Sequence, residues 1–298
     1  MVIVSIILVN YNGAQVAIDC LHSIQKHLHS VPYEVIVVDN ASTDQSADLI
    51  EKTFPTVQLI RQSKNVGFGA GNNLGARVAS GQYLFLLNTD TVLTCDLLPH
   101  LVQVIEQDST IGIVGPKLLN SDQSLQLSTA NSISLWGEFQ DLKQKIEYRN
   151  PEKRSQISQQ FTIQQEVDIV IGAALLIRRS LFEELKGFDE TFFMYFEESD
   201  LCQRVREKGY KIVYTPSVSL IHLGGYSVNK TSDRLSLEYR RSQIYYYQKH
   251  RPRYEQIILR CYLAAKFASA SLRQKTNLEI LKLALNFKRY PLKAAWKA

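Results

Sequence analysis

Over its first 115 residues the chain repeats one unit: a short apolar, β-rich run followed by an amphipathic stretch. The runs are "VSIILVN", "EVIVVDN", "VQLIRQ", "QYLFLLN" and "IGIVGP". Helix-like segments separate them: one to about His29, then "STDQSADLIEKTF", "GFGAGNNLGARVAS" and "LLPHLVQVIEQD". Strands buried on both faces read as near-continuous apolar runs, and their alternation with helices builds βαβ units on a parallel sheet. The expected fold class is therefore α/β, a mixed but mostly parallel sheet with helices on both faces. Ligands of such sheets bind beyond the carboxyl ends of the strands. Asn10, Asp39 and Asn88–Asp90 all fall at those ends.

Residues 118–165 lose the pattern. They are polar and rich in Gln and Ser, and are expected to form a mobile excursion over the sheet, the kind of long loop that serves as a lid or substrate-binding segment. Order returns with "VDIVIGAALLIRRSLFEELKGFDE", read as a strand and a helix. The acidic motif "FFMYFEESDLC", a helix "SDLCQRVREKG", a strand "YKIVYTP" and the run "VSLIHLGG" follow. The expected division is a body at 1–224, in two parts at 1–115 and 116–224, followed by a basic amphipathic helical tail at 225–298.

Charge supports that division. From residue 225 onward there are 16 Lys/Arg against 4 Asp/Glu, a net of +12, while the remainder carries 18 against 25. A basic tail on a mildly acidic body points to a polyanionic partner. In the tail Ile257, Cys261, Ala265, Ala268 and Leu272 recur at helical spacing, with Tyr290 and Trp296 near the end. A basic amphipathic helix with aromatics suits an anionic membrane surface, and equally a helix packed on the catalytic domain. No nucleic-acid motif is present, so nucleic acid is not an expected partner. The four cysteines (Cys20, Cys95, Cys202, Cys261) are widely spaced, which argues against a zinc site or disulfide framework and for a reducing compartment. "MVIVSIILVN" lacks a basic n-region and reads as a buried strand, and no apolar run is long enough to span a bilayer. The expected localisation is cytoplasmic, peripheral at the inner face of the membrane.

Four motifs carry chemistry. In "LLNTDT" the strand ends on Asn88 and Asp90, two residues apart and so on one face. Oxygen ligands on one face suit Mg²⁺ or Mn²⁺, ions that usually also bridge substrate phosphates; Asn, Thr and Asp also favour ordinary turns. In "VVDNASTD", Asp39 stands at a strand tip as a candidate ligand contact, whereas Asp44 equally suits a helix cap, as do Ser42 and Thr43. "NVGFGAGNNLGA" is neither a dinucleotide fingerprint nor a Walker loop, but its glycines allow close backbone approach to a sugar or diphosphate. Finally, Glu197, Glu198 and Asp200 stand directly behind Phe, Met and Tyr. Burying a carboxylate is costly unless it is paired, metal-bound or put to chemical use. His222, at the end of another apolar run, is either a core residue or a metal ligand.

Together these pieces resemble the family 2 glycosyltransferases of GT-A fold, and within them the rhamnosyltransferase-like branch. The likeness covers residues 3–224 and rests on "VNYNG", "VVDNASTD", "NVGFGAGNNLG", "LLNTDT", "GPKL", "GAALLIRR" and "FDETFFMYFEESDLCQRVREKGYKIVYTPSVSLIH". The resemblance implies a nucleotide-diphosphate sugar donor (a dTDP- or UDP-sugar), a divalent metal, inversion at the anomeric carbon, and a glycan or lipid-linked glycan acceptor. Asn10, Asn12, Asp39, Asn65, Gly67, Asn72, Asn88 and Asp90 become the nucleotide-sugar contacts, Asp39 at the base or ribose. Asp90 matches the metal-binding acid of the DxD motif, and Asn88 stands where the family often has the first Asp. His222, 24 residues beyond Glu198, matches a metal-binding histidine. Glu198 takes the place of the catalytic base, an Asp in most relatives, with Glu197 and Asp200 as supporting groups; Asp200 is also a candidate cap. A non-catalytic sugar-nucleotide-binding scaffold on the same fold is the rival reading.

Overall fold

The computed structural model describes residues 2–224, 232–268 and 274–287. The predicted alternation is present: β1 (Val4–Asn10), α1 (Ala14–His27), β2 (Tyr33–Asp39), α2 (Ser46–Thr53), β3 (Gln58–Arg61), α3 (Phe68–Val78), β4 (Tyr83–Asn88), β5 (Thr91–Leu93), α4 (Leu98–Gln107) and β6 (Ile111–Leu119). Two-residue periodicity along β1 explains the layering. Ile6 and Leu8 point into one core with α1 and α4, while Ile7 points into a second core with α3. Strands β3, β2, β1 and β4 are neighbours and parallel. Their register sets Asn10 beside Asp39 and Val9 beside Asn88, so three polar strand tips share one edge.

The 118–165 stretch is not the patternless excursion that its composition suggests. It holds β7 (Leu125–Gln126), β8 (Thr129–Ala130), α5 (Leu135–Arg149), α6 (Pro151–Gln160) and the start of β9 (Gln165–Glu166). Local chemistry builds α5, because Ser134 Oγ accepts the Gly137 N–H at 2.9 Å as an N-cap. Asn150 likewise caps α6, with Pro151 at its first turn. Then come β10 (Ile169–Val170), β11 (Ala174–Arg178), α7 (Arg179–Glu184), α8 (Glu197–Glu207) and β12 (Lys211–His222). β11 inserts antiparallel between β4 and β6, and β12 runs parallel to β6 with a register break between Thr215 and Ser219. "YKIVYTP" and "VSLIHLGG" thus belong to one strand. Its last residues pair antiparallel with β5, bringing His222 opposite Thr91.

Helix α8 begins at Glu197, two residues before the expected start, so the acids lie in its first turn. Helix α2 begins at Ser46 with Gln45 at the cap position, so neither Ser42 nor Thr43 caps it. Helices α9 (Ser232–His250), α10 (Arg253–Ala268) and α11 (Lys275–Leu285) pack into a third core together with Phe192 and Phe196 of the acidic motif. The tail, where described, is therefore docked on the catalytic body. Helix α10 buries Leu259, Leu263 and Phe267, while the Ile257–Cys261–Ala265 stripe faces outward. Leu272, Tyr290 and Trp296, and the boundary expected at 224/225, lie in or beside stretches outside the described residues.

Candidate active site

The strand tips and the start of α8 enclose a cleft of about 300 Å³. Of the residues singled out from sequence, Asn65, Gly67, Asn88, Asp90, Glu197, Glu198 and His222 line it. Two constellations meet there.

The first joins β4, β5 and β12. Hydrogen bonding of Leu223 N–H to Asp90 O (2.9 Å) and the β5–β12 ladder bring His222 Nε2 to 3.3 Å from Asp90 Oδ1. The other ring nitrogen, Nδ1, is 2.7 Å from Gln126 Oε1. Gln126 Nε2 donates to Asn120 Oδ1 (3.0 Å) and to His222 O (3.2 Å), so its oxygen is left to accept. The ring therefore carries a proton on Nδ1, and Nε2 is the nitrogen that faces the Asp90 carboxylate. Imidazole nitrogen and carboxylate oxygen side by side, with the imidazole fixed from behind, suit a divalent cation. Asn88 Oδ1, also at the cleft, is buried with no hydrogen-bond partner in the structure. Among the described residues no cluster of three His, Cys, Asp or Glu side chains forms a closed metal cage. Such a set fits Mg²⁺ or Mn²⁺, which completes its shell with substrate phosphates and water.

The second constellation is the acid pair. Tyr195 and Phe196 both adopt left-handed backbone, φ 71° and 69°, immediately before Glu197. Non-glycine residues hold that conformation at a cost of about 1–3 kcal/mol each, and only where the surroundings impose it. Here α9 imposes it: Tyr239 packs edge-on against both rings, and Ser242 Oγ donates to Met194 O at 2.8 Å. The sharp turn presents Glu197 and Glu198 as the first two residues of α8, where the helix dipole favours negative charge. Burial opposes it. Glu197 is 5% exposed, and burial together with the neighbouring Glu198 charge pushes its carboxyl well above the usual range. Its Oε2 has no hydrogen-bond partner in the structure. Burial also raises Glu198, but backbone N–H groups of Glu198, Ser199 and Gly172 pull against that rise. Two adjacent desolvated carboxyls hold one negative charge more easily than two, and the better-solvated member keeps it. The backbone donors favour Glu198 as that member, and Glu197 is the one raised further.

The glycine-rich loop lines the same cleft through Asn65, Gly67 and Phe68. Gly67 has φ +90°, and a Cβ there would stand 2.4 Å from Phe193 O, so the loop and the acidic motif touch backbone to backbone. Phe68 N–H donates to that same carbonyl at 3.0 Å.

Five expected contacts do not reach the cleft. Asn10 is fully buried, and its Nδ2 donates to Asp39 Oδ1 (3.0 Å) and Ser46 Oγ (2.7 Å). Asp39 accepts that bond on Oδ1 and the Ser42 N–H on Oδ2 (3.0 Å). Asn12 Oδ1 accepts the Thr43 N–H at 2.7 Å, and Asn72 is buried in α3. None of these four lines the cleft itself, and their hydrogen bonds tie the neighbouring loops and helix together. Asp200 is fully buried outside the cleft and caps nothing. Its carboxylate takes Arg204 Nε (2.7 Å), His250 Nε2 (2.7 Å) and Lys249 Nζ (2.6 Å). Sequence reasoning missed Asn40, Gly172 and Gln126. Asn40 follows Asp39 at the strand tip and enters the cleft, donating to Asn65 Oδ1 (2.9 Å) and Gly67 O (3.1 Å). Strand polarity alone could have found it. Nothing marks Gln126 within its Gln/Ser-rich surroundings.

Comparison with known proteins identifies the family. The family model for glycosyl transferase family 2 matches residues 5–186, and one described as the N-terminal domain of galactosyltransferase matches residues 152–227. The N-acetylglucosaminyl-diphospho-decaprenol L-rhamnosyltransferase of Mycobacterium tuberculosis is 26% identical over 233 residues, spanning 74% of this chain and 76% of its own. Rhamnosyltransferase WbbL of Escherichia coli is 25% identical over 164 residues, 52% of this chain and 60% of its own. A mannosyltransferase from Pyrobaculum calidifontis, solved with GDP-Man and Mn²⁺, superposes with a TM-score of 0.57 at 17% identity, covering 94% of this chain and 68% of that one. That last likeness speaks for the fold, which is GT-A. The chain is a glycosyltransferase belonging to family 2, with its likeness to the rhamnosyltransferases of that family.

Proposed function

We propose that the enzyme moves a hexose or deoxyhexose, with rhamnose the first candidate, from a dTDP- or UDP-sugar onto a glycan or lipid-linked glycan, with inversion at the anomeric carbon. The observation that carries this reading is the meeting, in one cleft at the strand tips, of a metal-competent Asp90–His222 pair and a desolvated carboxyl pair. The diphosphate would lie beside Asp90 at the β4–β5 edge, where Asn88 Oδ1 is an open acceptor for a hydroxyl or bound water. The glycine-rich loop closes over the donor with backbone at Gly67. Glu198, kept ionic by its backbone donors, removes the acceptor hydroxyl proton as the oxygen attacks from the face opposite the leaving diphosphate. Glu197 stays protonated and keeps the single charge on its neighbour. Mg²⁺ or Mn²⁺ held by Asp90 and His222 would neutralise the charge that builds on the leaving diphosphate. Asp39, Asn10 and Asn12 act by fixing the loop from which Asn40 enters the cleft.

The test is a thermal-shift panel of UDP, dTDP and GDP and their sugars, with and without Mn²⁺. A ligand at a hundredfold excess over its Kd stabilises the folded state by about 2.7 kcal/mol. A Mn²⁺-dependent rise with UDP or dTDP is expected. No rise with any nucleotide, in either condition, would overturn the donor assignment.

Gln126 supplies a second check. Gln126→Leu removes the acceptor that sets the His222 tautomer, and loss of such a partner costs roughly 10- to 100-fold in metal affinity. Titrating Mn²⁺ against the nucleotide-dependent melting shift, measured from the variant's own apo melting temperature, should show that loss. An unchanged Mn²⁺ midpoint would remove Gln126 from the metal site.

A further inference from the structure

Helix α5 is built inside out. Its inward face is polar: the Glu138 carboxylate accepts Gln243 Nε2 at 2.8 Å, Asp141 Oδ1 accepts Asn131 Nδ2 at 2.6 Å, and Tyr148 Oη donates to Leu125 O at 2.8 Å. Its outward face carries Trp136, Phe139, Leu142 and Ile146, spaced three, three and four residues apart and 66, 56, 56 and 58% exposed. Trp136 and Phe139 stack with ring centroids 5.7 Å apart. Four large apolar side chains on one stripe make a contiguous patch of the kind that marks an interaction site, unlike scattered apolar residues.

The surroundings of the stripe choose the occupant. Lys143, Lys145 and Arg149 are exposed along it, whereas the acids of the helix are turned inward or paired, Glu147 with Lys153 at 2.8 Å. A second copy of this chain would bring the same cations against these, and like charges repel. An anionic lipid surface satisfies both halves of the pattern: the aromatic and aliphatic side chains enter the headgroup–acyl boundary and the cations meet phosphate. Helix α10 repeats the pattern. Tyr254, Ile257, Ile258 and Tyr262 are exposed on its outward side, next to exposed Arg253 and Lys266. The two helices are joined where Leu135 N–H donates to Glu255 at 3.1 Å. Among the described residues no helix is long and apolar enough to cross a membrane, so contact of this kind lies on the surface.

We propose that the outward face of α5, extended by that of α10, docks the enzyme on an anionic bilayer. Leu135 packs in the same core as Phe196, the residue before the acid pair, so docking by α5 holds the cleft close to the lipid surface. Access to a lipid-linked acceptor is what docking would serve, and that purpose rests on the proposed function.

The experiment uses the full chain with phosphatidylcholine vesicles, with and without phosphatidylglycerol, at low and high salt. Co-flotation with the anionic vesicles is expected, together with a blue shift of Trp136 emission in a Trp296→Phe background. The triple variant Trp136→Ser, Phe139→Ser, Ile146→Ser should lower the vesicle-bound fraction by more than about tenfold. Its apo melting temperature and nucleotide-dependent shift should stay as in the parent, which separates loss of docking from failure of the transferase reading. Lys143→Glu with Lys145→Glu should abolish the preference for anionic lipid. No flotation of the parent, or flotation that survives the triple substitution, would overturn the proposal. So would a parent dimer in sedimentation that the triple variant dissolves, because a second copy would then cover the stripe.

Discussion

Glu198→Gln is expected to lower turnover by about 10²- to 10⁴-fold, the usual worth of a positioned general base, while the Mn²⁺-dependent nucleotide melting shift persists. The two readouts separate the base from the donor site. Gln keeps the shape of the side chain, and the N–H groups that hold Glu198 belong to backbone, so the fold has no reason to change. The matching control is Glu197→Gln. On the proposed assignment Glu197 is already neutral at working pH, so an uncharged isostere should cost little turnover. The pH profile carries the sign. A base must be deprotonated, and burial raises Glu198 above the ordinary glutamate value of about 4.3. Activity should therefore fall on acidification with a midpoint above that value, and Glu197→Gln should leave that acid limb in place. If Glu197→Gln lost turnover and Glu198→Gln kept most of it, the roles would have to be exchanged. Full activity of Glu198→Gln would sink the base assignment altogether.

What the sequence disclosed follows from how local the cause is. The strands of the first half are legible because burial on both faces leaves apolar runs that nothing else produces. Their ends are legible because polar residues collect where strands stop. Asp90 and His222 are 132 positions apart, and only the β5–β12 ladder brings them together. No periodicity announces that pairing, and the family resemblance did. Asn10 and Asp39 fall at the strand tips as expected, but the hydrogen bond between them was not legible, since it depends on the register of two strands. The stretch around α5 was misjudged for a physical reason. Polar composition reads as loop, whereas Trp136, Phe139, Leu142 and Ile146 carry a helical period within it. The tail shows the converse: the Ile257–Cys261–Ala265 stripe was legible as a helix face, yet the face that packs is Leu259, Leu263 and Phe267.

Asp200→Ala is expected to damage both stability and catalysis, although the residue touches no part of the cleft. Its carboxylate is completely buried between Arg204 on its own helix and Lys249 and His250 on α9. Removing one partner of a buried ionic cluster leaves uncompensated charge and costs roughly 3–5 kcal/mol. Part of that is recovered here, because Arg204 also donates to Leu185 O and Gly187 O (both 2.9 Å) and Lys249 reaches Asp189 at 2.7 Å. A loss near 3 kcal/mol should lower the melting temperature of a 298-residue chain by roughly 5 °C. The effect has a defined pH dependence. Burial alone would raise Asp200, but the His250 hydrogen bond and the charges of Arg204 and Lys249 hold it below the ordinary range. A depressed carboxyl contributes its stability above the unfolded-state value of about 3.9 and loses it as pH falls through the folded-state value. The gap between parent and variant should thus be flat near neutrality and shrink in strong acid. Catalysis should suffer because α9 is what holds Tyr195 and Phe196 in left-handed backbone. Loosening α9 lets that turn relax and moves Glu198, and a displacement of about 1 Å at a reacting group can cost roughly 10²-fold. Asp200→Asn, which keeps the shape and loses the charge, should fall between parent and Ala in both measurements. A variant that melts with the parent and turns over at its rate would mean that the C-terminal helices merely rest on the catalytic body; the expected coupled loss would make α9 a working wall of the active site.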